Sequence, residues 1–264
     1  MSVLREVPLE GGFTNAGQVT RVGDTVRRPQ RETSPATHAL LEHLERVGFD
    51  GAPRFRGIDD RGREVLSYIP GEAAIEPYPG WALTDEALVG VAELLRRFHD
   101  AVATFDASEH RWAAAVPAAF RGGIVSHNDP NLDNVIFSGG RPVALIDFDL
   151  AGPGSVVWDV ACAARLWAPL RDERDAPSAL AGQALSRLRL FLDAYGLPAR
   201  DRPGVIDALT PALDWCYDVV RAAVEGGHPT FGRLWHGGGR LRAERTRSWL
   251  AAHDVQMREA IGDR

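Results

Sequence analysis

Apolar residues recur at helical spacing through Leu88, Val91, Leu94, Leu95 and Phe98 and predict a long helix over 84–104. Thr84 is its expected cap, and Asp85 and Glu86 place negative charge in the first turn, where the helix dipole favours it. Upstream the apolar runs are short, as strands require. Val19–Val22 and Thr25–Arg28 read as strands across a Gly23-Asp24 turn, and Pro53–Ile58 and Arg63–Tyr68 as two more across Asp59–Gly62. Between these hairpins, Ser34-Pro35 has the form of a cap followed by proline, opening a helix to about Val47. Another ribbon is expected from Val135–Phe137 and Val143–Ile146, turned by Ser138–Arg141. Beyond it the pattern is helical over Val156–Leu166, Ala176–Tyr195, Pro211–Glu225 and Arg240–Ile261. Thr210-Pro211 reads as the start of the third of these, and the Gly226–Pro229 and Gly237–Gly239 segments are expected to bound a mobile loop.

The ribbon matters because of what flanks it. His127, Asp129 and Asn134 fall in one short loop before it, and Asp147 follows its second strand. The chain has four asparagines, of which Asn128, Asn131 and Asn134 stand in this stretch. Folding the ribbon back brings Asn134 and Asp147 together, as a shared metal needs. An Asp and an Asn five residues apart, followed by a second Asp, suit phosphoryl transfer. One carboxylate orients the attacking hydroxyl, while Asn and the other carboxylate hold magnesium against nucleotide phosphates.

Composition narrows the partners. With 264 residues, 45% of them hydrophobic and 25% charged, the chain can bury a sizeable core in one large domain or two unequal lobes. A net charge of −6 and a pI near 5.8 argue against nucleic acid, which needs a basic face. All 30 basic residues are arginine, so any role for lysine falls to Arg. Cys162 and Cys216 lie far apart in apolar helical sequence and read as reduced core residues. No signal-peptide pattern or membrane-length apolar run is present, so a cytoplasmic protein without membrane contact is expected.

The loop His127-x-Asp129-x-x-x-x-Asn134, followed by Ile146-Asp147-Phe148, resembles the aminoglycoside phosphotransferase family of small-molecule kinases. The resemblance implies a two-lobed, protein-kinase-like α+β fold, with a small antiparallel-sheet N-lobe (1–70), a hinge at 67–72 and a larger, mainly helical C-lobe (71–264). It implies ATP- or GTP-dependent transfer of a phosphoryl group to a hydroxyl of a small molecule, with Mg2+. In the catalytic loop Asp129 would be the base and His127 a structural member, while Asn134 and Asp147 would hold the metal. The family usually has Gly where this chain has Asn128, which implies a slightly different loop backbone.

Gly11–Gly17 is similar to the family's phosphate loop, with Gly12, Thr14 and Asn15 at the phosphates; by itself it is equally a plain hairpin turn. If Val26 points into the core, Arg27 replaces the family's phosphate-gripping lysine, with Arg28 the alternative. The helix carboxylate that pairs with that lysine would fall near Thr37 or His38, where none exists; Glu42 and Glu45 are expected to face away. Tyr68 and Ile69 would neighbour adenine. His99 is expected to be a core residue and Asp159 a brace for the catalytic loop. For the acceptor, Asp149, Asp214 and Asp218 are candidate contacts. An aminoglycoside-like or other hydroxylated antibiotic is the leading class. A choline-, sugar- or amino-alcohol-like metabolite and a nucleotide-binding regulator without turnover are the alternatives.

Overall fold

The computed structural model describes residues 5–9, 17–113 and 115–262. The glycine-loop positions Gly12, Thr14 and Asn15 lie outside the described residues. The first antiparallel sheet contains β1 (Glu6–Pro8), β2 (Thr20–Val22), β3 (Thr25–Pro29), β4 (Phe55–Ile58) and β5 (Arg63–Ser67), in the order β1-β2-β3-β5-β4. Gly23 and Gly62, at φ 64° and 75°, take the left-handed turn positions. Asp59 closes the second turn by accepting the backbone N–H of Arg61 and Arg63 at 3.0 and 2.9 Å. Helix α1 (Ser34–Arg46) lies between the hairpins, one residue short of the expected end. Thr33, not Ser34, is its cap position, and the Ser34 hydroxyl accepts the N–H of Arg31.

After β5 the chain leaves this sheet. β6 (Glu72–Ala73) pairs with β8 (Val135–Ser138), which pairs with β9 (Arg141–Leu145). A separate pair, β7 (Ile124–Ser126) with β10 (Gly152–Gly154), closes the base of the catalytic segment. Helix α2 (Asp85–Val102) starts as expected, with Thr84 Oγ1 accepting from Ala87 N at 3.1 Å. Its stripe of Leu88, Val91, Leu94, Leu95 and Phe98 is buried. Helix α3 (Val156–Trp167) is capped by Ser155 and carries Trp158, Asp159 and Trp167 into the core.

Three expected helices change bounds. α4 (Ala184–Tyr195) starts late, because Pro177 and Gly182 (φ 71°) break the segment before it. α5 (Arg202–Glu225) begins well before Thr210-Pro211 and runs through Pro211. Proline forfeits one helix hydrogen bond, but burial of Val205, Ile206, Leu209, Ala212 and Leu213 holds the helix through that point. The last expected helix divides at His253 into α7 (Arg240–Ala252) and α8 (Asp254–Ile261). In place of the expected loop at 226–239, α6 (Pro229–Leu234) leads into a π-turn at Trp235–Gly239. Cys162 and Cys216 are free thiols, as expected.

Candidate active site

The catalytic loop leaves β7 and is pinned from behind by α3. The Asp159 carboxylate, fully buried, accepts the backbone N–H of His127 at 2.7 Å and of Asn128 at 2.8 Å. It also meets His99 Nε2 at 2.9 Å, and His99 Nδ1 meets the Tyr195 hydroxyl at 2.6 Å. His99 and Asp159 are thus the core residue and the brace expected of them. These donors hold the Asp159 carboxyl below its usual range despite burial, which pushes the other way.

Asn128 takes the left-handed conformation, at φ 67°. Asn is among the residues that enter this region at least cost. Its side chain then adds two ties: Nδ2 donates to Leu150 O at 2.7 Å and Oδ1 accepts from Trp158 Nε1 at 2.9 Å. At the far end of α3, Trp167 Nε1 donates to Pro130 O at 2.9 Å.

His127 is buried behind the loop, away from a reacting face. Its Nε2 lies 3.0 Å from Ile146 O, which can only accept, so Nε2 carries the proton; Nδ1 accepts the N–H of Asp129. Burial lowers its pKa, so the ring is a neutral strut between the loop and the strand leading to Asp147. Asn134 Nδ2 donates both to Asp129 O and to Asp129 Oδ2, each at 2.9 Å. The fold of the ribbon brings Ile146 N to Asn134 O at 2.9 Å, joining the two ends of the segment.

These groups border a cleft of about 270 Å³ between the first sheet and the ribbon. Val26, Leu66, Ile136 and Ile146 give it apolar walls, Tyr68 and Ile69 stand at one side, and Arg28, Asp133, Asn134 and Asp147 supply its polar groups. Asp129 sits one hydrogen bond behind, on Asn134. Burial, then Asp147 and Asp133, push the Asp129 carboxyl up to about 7. Burial and Asp149 push Asp147 up to about 6, opposed by Arg28 and Arg31.

Arg28, not Arg27, enters this cleft. Val26 and Arg28 share the face turned toward it, whereas Arg27 faces away and lies 3.7 Å from Asp59. Arg28 Nη1 meets Asp147 at 3.0 Å, Nη2 meets Asp149 at 2.8 Å, and Nε ion-pairs with Glu64. Glu64, buried on β5, stands directly opposite Arg28 in the β3–β5 pairing. The expected vacancy on α1 is therefore real, and the carboxylate comes from a strand. Glu45 faces outward to Arg56, as expected. Glu64 escaped sequence reasoning because only the strand register places it against Arg28.

Asn134 and Asp147 fit a magnesium ion. Both offer hard oxygen donors to one cleft, and the Asn134 amide nitrogen is already committed to Asp129, leaving its oxygen free. Two carboxyls raised by burial, with Asp147 adding to the rise of Asp129 and Asp149 to that of Asp147, are also the setting a divalent cation relieves.

The expected acidic acceptor contacts do not converge. Asp149 stands behind Arg28 and is not among the residues lining the cleft; it is bound by Arg28 and Arg31. Asp214 is paired with Arg247 and Asp218 with Arg221, so α5 presents no free acidic face at those positions.

Residues 100–195 match the sequence model of the phosphotransferase enzyme family. The trifolitoxin immunity protein of Rhizobium leguminosarum bv. trifolii is 35% identical over 97% of this chain and 98% of its own. Among solved structures, a choline/ethanolamine kinase family protein from Mesorhizobium loti aligns with a TM-score of 0.63 at 16% identity, over 97% of this chain and 92% of its own. The GDP complex of wild-type aminoglycoside 2′-phosphotransferase-IIIa aligns with a TM-score of 0.59 at 14% identity, over 97% and 94%. The fold is that of these kinases.

Proposed function

The chain belongs to the phosphotransferase enzyme family, and from that premise we propose that it moves the γ-phosphoryl group of ATP or GTP to a hydroxyl of a small molecule. The observation that carries this reading is the convergence of Arg28, Asn134 and Asp147 on one cleft, with Asp129 hydrogen-bonded directly behind. The acceptor oxygen forms a bond to the γ-phosphorus as the bond from phosphorus to the β-bridging oxygen breaks. The hydroxyl proton passes to Asp129. A carboxyl pushed up to about 7 is a general base matched to neutral pH. Arg28 would neutralise phosphate charge through its terminal nitrogens. Asn134 and Asp147 would hold Mg2+, which supplies further charge neutralisation at the phosphate oxygens. Tyr68 and Ile69 would flank the base, and residues 1–70 would form the nucleotide-binding lobe. Positioning and electrostatics do most of the work, since the nucleotide supplies the reactive bond.

The acceptor we favour is a hydroxylated antibiotic or toxin. The full-length relative named for immunity to trifolitoxin supports that class. The pairing of Asp214 and Asp218 with arginines speaks against a cradle for many amines on α5. No helix among the described residues is long and apolar enough to cross a membrane, and we assign the reaction to the cytoplasm, where nucleoside triphosphates are held.

The test is an ADP- and GDP-release screen with Mg2+ against aminoglycosides, other hydroxylated antibiotics, peptide toxins and amino alcohols. Release that depends on an antibiotic or toxin is the expected result. Release only with amino alcohols would move the acceptor to a metabolite. Nucleotide binding without release for any acceptor would favour a regulator without turnover.

A further inference from the structure

Arg28 is held by three carboxylates, and they are not equivalent. Asp147 and Asp149 reach its terminal nitrogens from the catalytic segment, at 3.0 and 2.8 Å. Glu64 reaches Nε from the neighbouring strand of Arg28's own sheet, in register with it. Asp147 lines the cleft together with Arg28 and is the partner a bound cation would draw away. Glu64 would keep its hold throughout.

Glu64 is itself fixed. It is 1% exposed, and its second oxygen meets His38 Nε2 at 2.6 Å. His38, on α1, is stacked on Phe55 of β4 with ring centroids 3.8 Å apart and planes 13° from parallel. Helix, strand and neighbouring strand therefore converge on one carboxylate whose remaining contact is the arginine. A buried carboxylate is costly unless its charge is paired, and here one oxygen meets His38 and the other is in ion-pair contact with Arg28. Two acceptors from the catalytic segment would suffice to neutralise Arg28. The third, in ion-pair contact with the Nε edge from the sheet side, sets where the planar guanidinium lies and so where its terminal nitrogens point.

We propose that Glu64, pinned by His38, is the positioning residue for Arg28: it holds the guanidinium edge-on so that the terminal nitrogens face the nucleotide's phosphates. This rests on the phosphotransferase reading above, and it replaces the carboxylate that α1 does not supply.

The experiment compares wild-type protein with Glu64→Gln, Arg28→Met, the double variant and His38→Gln. Calorimetric titration uses Mg–ATP, Mg–GTP and the two nucleosides without phosphate, with thermal unfolding alongside. Glu64→Gln is expected to weaken triphosphate binding about tenfold while nucleoside affinity stays within about twofold, since only the phosphate grip is misaimed. In the Arg28→Met background the same change should add no further loss of triphosphate affinity. His38→Gln leaves the ion pair intact and should weaken triphosphate binding in the same direction by a smaller factor, which keeps the test decisive should Glu64→Gln not fold. Wild-type triphosphate affinity in a folded Glu64→Gln protein would overturn the inference. So would equal loss of nucleoside and triphosphate, the mark of a purely structural residue. Wild-type protein that binds neither nucleotide would overturn the phosphotransferase reading and this inference with it.

Discussion

Asp129 meets two opposing demands. As the proposed base it must be ionised to take a proton, yet it is buried near Asp147 and Asp133, which raises its carboxyl from 3.8 to about 7. Replacing it with alanine is expected to lower kcat by roughly 10² to 10⁴ with little change in nucleotide affinity. Single-turnover rates and a nucleotide titration check this; turnover at the wild-type rate would remove Asp129 from the base role. The same displacement has a consequence for stability. A carboxyl whose folded pKa is raised holds its proton in the native state over a range where the unfolded chain has released it. It therefore costs stability increasingly as pH rises from about 4 to about 7, and the cost is constant above. In EDTA, Asp129→Asn should be more stable than wild type by about 1–3 kcal/mol at pH 8, with the difference vanishing near pH 4. Urea midpoints at the two pH values measure it, and a gain of equal size at both would refute the assignment. The identity of Asp129 was legible in the spacing of the loop. The choice between Arg27 and Arg28 was not, because strand alternation offers two faces and only packing selects one.

At the scale of elements, the loop's shape depends on α3. Asp159 accepts two loop amides and faces His99, so one carboxylate fixes the direction in which the loop leaves β7. Asparagine in its place would turn an N–H toward one of those donors. Asp159→Asn is expected to cost about 2–4 kcal/mol. It should also lower kcat more than it changes nucleotide affinity, read from denaturant unfolding and steady-state rates. Unchanged kcat at wild-type stability would show that the brace is dispensable. Asp159 could be read in advance only through the resemblance to the phosphotransferase family. The limits of α5 could not. Thr210-Pro211 has the form of a helix start, but the apolar face from Val205 to Leu213 is buried as one surface and carries the helix through it.

For the whole molecule, the cleft is closed by parts that are distant in sequence: Val26 and Arg28 from the first sheet, Asn134 and Asp147 from the ribbon. A ligand bridging them should stabilise both together. Mg–ATP or Mg–GTP at about 100 times its Kd should add roughly 2.7 kcal/mol and raise Tm by several degrees. Asp147→Asn should abolish the part of that shift that depends on magnesium, measured by thermal unfolding with and without EDTA. An equal shift in that variant would take Asp147 out of the metal site.

The sequence alone determined the polar loop from His127 to Asn134, the ribbon behind it and most of the alternation of strands and helices. Each of these is a local pattern: a fixed spacing of polar residues, a hairpin turn, or a repeat of 2 or 3.6 residues. Tertiary structure decided what local pattern cannot encode. It put Glu64 opposite Arg28 through strand register and brought His38 from α1 onto the same carboxylate. It set Asn128 in the left-handed conformation, where its side-chain oxygen accepts from Trp158 on α3 and its side-chain nitrogen donates to Leu150 O. It also bound Asp214 and Asp218 to arginines on α7 and α5, so these candidate acceptor contacts are already paired. Long-range electrostatics depends on which charges meet in space, and that is settled only when the core packs.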